Sequence, residues 1–145
     1  ESPVHVAVVQ RRIMTWTTDD DMGDAFKEKF DLGLEEALNI NVVKDGEFLW
    51  RQDQSPDDVM ERSRSGLRDG EDIIEYVAPI EIQGVILKLV SSIDDLSRDK
   101  LLSDVFECLG CRPSDAEPGN IVEDCISMLI DGDVLWDDDG FVRLR

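Results

Sequence analysis

The apolar positions of this chain change period several times, and each change marks a predicted element. After Ser2-Pro3, which can open a helix or a short extended entry, Val6, Val9 and Ile13 recur at near-helical spacing up to Trp16. Residues 17–21 form a polar break in which Thr18 or Asp19 can cap the next helix. Phe26, Phe30, Leu34 and Leu38 follow at intervals of four, one slowly drifting stripe of a helix over about residues 22–39. Gly33 weakens its middle. Two apolar runs, Ile40-Asn41-Val42-Val43-Lys44 and Glu47-Phe48-Leu49-Trp50, then flank Asp45-Gly46. Asp-Gly in that setting predicts a hairpin closed by a type I′ turn, whose central positions both need positive φ.

Residues 51–72 lose the pattern and carry Ser55-Pro56, Ser63, Ser65, Gly66 and Gly70, which predicts a polar linker or surface crossing. Ile73-Ile74-Glu75-Tyr76-Val77 reads as a short strand or extended entry ended by Pro79. The clearest helix follows. Ile82, Val85, Ile86, Leu89, Val90 and Ile93 share one face, Pro79 stands at the start and Glu81 lies in the first turn. Ser97 caps a second helix with Leu101, Leu102, Val105, Phe106 and Leu109 inward, and Gly110 stops it. A loop over residues 112–119 leads to a third helix from about Asn120, with Val122, Cys125, Ile126 and Leu129 inward and Gly132 at its end. Val134-Leu135-Trp136 and Phe141-Val142-Arg143-Leu144 flank Asp137-Asp138-Asp139-Gly140, a second hairpin.

The two halves echo each other, each closing with helix, short strand, Asp-Gly turn and aromatic-bearing strand. The expected fold is mainly helical α/β: a tandem winged helix-turn-helix, each unit ending in a β-hairpin wing. A partial unit occupies residues 1–50, a polar linker 51–72 and a complete unit 73–145. The wings carry Asp45, Gly46 and Trp50 in the first unit, and Trp136, Asp139 and Gly140 in the second. The first unit lacks an opening helix. Together with a first residue of Glu1, this leads us to expect a piece of a longer protein.

Composition adds a strong electrostatic constraint. Thirty-four Asp and Glu against 15 Lys and Arg leave a net charge of −19, a field that repels a phosphate backbone. It fits a protein adapted to high salt, and equally an acidic domain balanced by a basic partner. The clean apolar periodicity excludes disorder. At 145 residues the chain suits one domain, or two small ones that must share surface to bury enough area. No run of about 18 apolar residues occurs, so no membrane span is expected. Three cysteines, Cys108, Cys111 and Cys125, form no even framework and suit a cytoplasmic protein with free thiols.

Glu1-Ser2-Pro3-Val4-His5 with Arg11-Arg12-Ile13, then Asp45-Gly46-Glu47-Phe48-Leu49-Trp50, residues 62–68, and Ile74-Glu75-Tyr76-Val77-Ala78-Pro79-Ile80-Glu81-Ile82 carry a resemblance over nearly the whole chain. The chain resembles a family of unknown function found at the C-terminal end of very large superfamily-1 helicase-like proteins. Those proteins often carry a Vsr-like nuclease domain just upstream. The resemblance implies a parent protein acting on nucleic acid, with its ATPase and nuclease residues outside this chain. Cys108-Leu109-Gly110-Cys111-Arg112 departs from the basic and apolar residues usual in that family.

The chemistry-bearing residues are sparse. A winged helix reads DNA with its third helix, but here that helix offers Asn120, Glu123, Asp124, Ser127 and Asp131, with no Lys or Arg. In the first unit Asp24, Glu28, Asp31, Glu35 and Glu36 outnumber Lys27 and Lys29. Arg11, Arg12, Arg62, Arg64 and Arg68 remain as candidate contacts to phosphate or to an acidic partner. Cys108 and Cys111 form a Cys-x-x-Cys at the wrong end of a helix for redox work. Cys125 and the single histidine, His5, would have to complete any zinc set. Neither aspartate cluster meets the spacing of a calcium loop. No catalytic dyad or phosphate-cradling loop is present. We therefore expect no enzyme, metal or cofactor, but an accessory scaffold of a helicase- or nuclease-like protein whose partners are the parent's other domains, with DNA reached through the parent. A DNA-backbone module using the linker arginines and wings is the alternative, and homodimerisation stays open.

Overall fold

The computed structural model describes residues 2–15, 23–67, 70–93, 95–113 and 120–145. The expected caps Thr18 and Asp19, together with Arg68 and most of the loop before Asn120, lie outside these. Contacts divide the chain into two units, Glu1–Val59 and Met60–Arg145. The described residues are mixed α/β, with five α-helices and two three-stranded antiparallel sheets. None of these helices is long and apolar enough to cross a membrane.

The N-terminal unit runs β1 (Val4–His5), α1 (Val6–Met14), α2 (Asp24–Ile40), β2 (Val42–Asp45) and β3 (Phe48–Arg51), with sheet order β1-β3-β2. Ser2-Pro3 opens an extended entry, and the His5 side chain caps α1 by accepting from the Ala7 N–H at 3.1 Å. The first hairpin forms where expected, but its turn differs. Asp45 pairs with Phe48, so the central residues are Gly46 and Glu47. Only Gly46 has positive φ, at 55°, the requirement of a II′ turn rather than I′. The core is thin: Val6, Phe30 and Leu49 are buried, with Val9, Ile13, Phe26, Leu34 and Val42 half-buried around them. Leu38, the last residue of the expected stripe, is exposed.

The C-terminal unit runs α3 (Pro79–Ser92), β4 (Leu96–Ser97), α4 (Arg98–Leu109), α5 (Asn120–Asp131), β5 (Leu135–Asp138) and β6 (Phe141–Leu144), with sheet order β4-β6-β5. Pro79 is the first residue of α3, and the Ser97 hydroxyl caps α4 by accepting from the Lys100 N–H. Here the I′ turn is realised, with φ of 53° at Asp139 and 86° at Gly140. Seventeen buried side chains form one core in which Ile82, Ile86, Leu101, Val105, Ile126, Leu135 and Val142 lose all solvent contact.

Two expectations are corrected. Residues 73–77 do not form a strand: Ile73 makes one parallel bridge to Arg112, and Ile74–Tyr76 is a 3-10 turn. The apolar residues that matter, Ile74 and Val77, are three apart, which is the 3-10 period rather than the strand period. Nor is the polar stretch from 51 to 72 one solvated crossing. Its first part stays with the N-terminal unit, where the Gln54 amide donates to the Ser2 carbonyl at 2.9 Å and Ser55 caps a 3-10 turn. Residues from Met60 onward belong to the C-terminal unit, with Arg64 buried in it.

That strap is fastened to the end of α4. The Arg64 N–H donates to the Leu109 carbonyl at 2.7 Å, satisfying a group the helix cannot bond itself. Gly110 sits in the left-handed region at φ 62° and closes a Schellman motif, in which the Cys111 N–H reaches the Phe106 carbonyl. A Cβ on Gly110 would stand 2.7 Å from the Ser65 nitrogen. Gly110→Ala therefore meets both backbone strain and a backbone collision. It is expected to lower unfolding free energy by about 2 kcal/mol. A fall in the urea midpoint would show this, and an unchanged midpoint would mean the strap does not hold this position.

Candidate functional site

The candidate arginines separate into three groups. Arg11 and Arg12 lie in the last turn of α1. Arg68 lies outside the described residues. Arg62 and Arg64 converge on one carboxylate, Glu81, in the first turn of α3. The Arg64 guanidinium donates to both Glu81 oxygens at 2.9 Å, and Arg62 donates to the same pair at 2.6 and 3.3 Å. The Glu81 side chain is 0% exposed and that of Arg64 8%. Neither guanidinium is thus available for phosphate in this arrangement, and the acidic partner they meet is internal.

The same economy extends through the C-terminal unit. Arg98 bridges α5 and the wing, donating to Glu123 at 2.5 Å and to Asp137 at 2.9 Å, while its N–H donates to the Gly140 carbonyl at 2.9 Å. Arg112 grips Asp72 through two bonds at 2.7 and 2.8 Å, which holds that carboxyl below the usual carboxylate range. Arg143 joins Asp138 and Asp95 and lies 5.7 Å from the centre of the Trp136 ring. Lys88 pairs with Glu61, Lys100 with Asp104, and Arg145 with Asp133. Every described Lys and Arg of this unit is therefore engaged by a carboxylate of the same unit.

The α5 face that would read a groove carries no Lys or Arg. On α5, Asp124, Ser127 and Asp131 are exposed, and Glu123 is turned to Arg98. On α2, Asp24, Glu28, Asp31 and Glu35 are exposed beside Lys27. The wing residues Asp45, Gly46, Asp139 and Gly140 are exposed turn positions, and Trp136 and Phe141 add aromatic area to the second wing. Trp50 is half-buried on β3, and its indole N–H has no partner among the described residues.

Cys108 is exposed, while Cys111 and Cys125 are buried; all three are free. Burial pushes both inner thiols up to about 11. His5 is occupied as the α1 cap. No three His, Cys, Asp or Glu side chains converge for a metal among the described residues.

Sequence reasoning passed over one surface. Val9 and Ile13 of α1, Phe26, Lys29, Phe30 and Leu34 of α2, and Val42 of β2 line an open groove of about 520 Å³ on the N-terminal unit, with Gly33 also in its lining. The signal was present as a short core with no opening helix to cover it. Comparisons of the chain with family models, curated proteins and solved structures find no match in any of the three.

Glu81→Gln is expected to cost about 3–5 kcal/mol, because it strands a buried guanidinium. Replacing the pair together, Glu81→Met with Arg64→Leu, should recover most of that loss. Urea denaturation of the two variants decides it, and a loss from Glu81→Gln below about 1 kcal/mol would place the fork in solvent. The thiols give a second check. One cysteine should react at once with a thiol reagent near neutral pH, the other two only on unfolding. The unfolded chain releases thiol protons near 9.0 and the folded chain near 11, so stability should fall as pH rises across that interval. Three equally fast thiols, or a flat alkaline profile, would contradict the burial described.

Proposed function

We propose that this chain is a non-catalytic, protein-contacting module built from two winged-helix units, the first lacking its opening helix, and that it serves a larger helicase- or nuclease-like protein in the cytoplasm. The element order supports the winged-helix reading: helix, strand, helix, helix, strand, strand in the C-terminal unit, with the last strand in the middle of the sheet. Sequence resemblance supports the helicase setting, and three free thiols suit a reducing compartment.

One observation carries the choice of protein over nucleic acid as the direct partner. The described cations of the C-terminal unit are spent on internal carboxylates, leaving a chain of net charge −19. Freeing an arginine for phosphate would break a bond already made, and freeing Arg64 would strand a buried Glu81.

Fluorescence anisotropy with labelled duplex and single-stranded DNA, run from low to moderate salt, tests this. No saturable binding is expected at any ionic strength. Affinity that falls steeply as salt rises, and that drops on Arg11→Ala with Arg12→Ala, would overturn the reading in favour of backbone contact.

A further inference from the structure

The two units repeat one another closely enough to be compared position by position. β1 pairs with β3 through Val4 with Leu49 and His5 with Phe48, as β4 pairs with β6 through Leu96 with Val142 and Ser97 with Phe141. His5 and Ser97 are both side-chain caps of the helix that follows. The first helical N–H then donates to the turn of the hairpin in each case, Val6 to the Glu47 carbonyl at 2.9 Å and Arg98 to the Gly140 carbonyl at 2.9 Å. The residue after the last strand closes the hairpin's open end in both, Gln52 donating to Asn41 and Arg145 to Val134. By this alignment Val9 and Ile13 of α1 correspond to Leu101 and Val105 of α4.

The corresponding residues have opposite fates. Leu101 and Val105 are 0% exposed, because α3 packs across α4, α5 and β6. Val9 and Ile13 are only half-buried and line the open groove. The groove walls are α1, α2 and the sheet, the counterparts of the elements that α3 covers. The N-terminal unit has no helix of its own in that place among its described residues.

We propose that this groove seats an amphipathic helix of a partner protein, with apolar residues spaced as on α3 and a net positive charge. The inference rests on the protein-contacting reading above and gives it a surface. The apolar spacing follows from the template: Ile82, Val85, Ile86 and Val90 are the buried face of α3. The positive charge of the occupant follows from the chain's own net charge of −19. On α2 the charged residue lining the groove is Lys29, while Asp24, Glu28, Asp31 and Glu35 line a separate pocket, so the preference is set by the long-range field of the whole chain and not by pairs along the groove's edge. A helix with acidic flanks would enter against that field. Burying the apolar lining would complete a core that has three buried side chains among the described residues.

The test uses the full chain and three labelled peptides. The first keeps the α3 apolar positions and carries Lys at the exposed ones, the second carries Glu there, and the third scrambles the first. Saturable binding of the first is expected, at least about tenfold tighter than the other two. The decisive variant is Gly33→Glu. A Cβ at Gly33 meets nothing within 4 Å, and Glu is the better helix former, so the free protein should not be weakened. The new carboxylate would by charge alone favour a basic peptide, so an about tenfold loss of affinity reports obstruction of the groove. Equal binding of the scrambled peptide, or indifference to Gly33→Glu, would reduce the effect to net charge and overturn the inference. So would sedimentation of the chain as a dimer that Gly33→Glu dissociates, since the occupant would then be a second copy. Loss of the groove result with DNA still unbound sinks this inference alone, whereas salt-sensitive DNA binding sinks the reading beneath it.

Discussion

A carboxylate with no access to water must be met by cations held in fixed geometry, and Glu81 sets that demand on the C-terminal unit. It sits in the first turn of α3, where the helix dipole favours a negative charge, but its side chain is wholly buried. Dipole alone does not offset the loss of hydration. Two guanidiniums do, and they must come from a segment able to lie across the start of α3. That requirement buries Arg64 and half-buries Arg62, while Ser63 and Ser65 between and beyond them stay exposed. The same segment then caps the Leu109 carbonyl and presses on Gly110 so closely that only glycine fits. The fork thus joins the beginning of one helix to the end of another through a stretch with almost no apolar residues.

Spending arginines inside changes what the surface presents. With 15 basic residues against 34 acidic ones the chain is already lopsided. When the bases of the C-terminal unit are turned to neighbouring carboxylates, α5 is left with exposed Asp124 and Asp131 and no Lys or Arg. Surface pairs such as Arg112 with Asp72 add little stability each. Their consequence is that few cations remain to approach a polyanion. A surface of this kind repels polyanions, and salt screens its self-repulsion.

Much of the fold was legible because it follows from local rules. The stripe on α3, the Ser97 cap, the Gly110 stop and the Asp139-Gly140 turn each depend on residues within one or two turns of one another. What was not legible depends on partners distant in sequence. β1 and β4 are two residues long and exist only because a hairpin supplies the other edge. The first hairpin's turn moved one residue along because pairing of Asp45 with Phe48, not the Asp-Gly dipeptide, sets its centre. Arg62 and Arg64 read as solvated because nothing in their own neighbourhood announces Glu81, 17 residues beyond Arg64. For the candidate surface, composition pointed away from DNA, while the groove depends on α1, α2 and the sheet coming together from residues 9 to 49.

That comparison also explains why two similar cassettes differ in their cores. In the C-terminal unit the covering helix supplies one wall and the paired helices and hairpin the others, so Leu101 and Val105 are shielded from both sides. Their counterparts Val9 and Ile13 are only half-buried and line the open groove among the described residues. A unit of this size gains its stability from the fraction of surface it hides, and that fraction falls fastest when a whole wall is missing. The half-buried residues are nonetheless apolar: phenylalanine, isoleucine, leucine and valine, where polar side chains would keep an isolated unit soluble at no cost in burial. Retaining them makes sense if the face is covered when the protein works, and in the C-terminal unit the corresponding face is covered by α3.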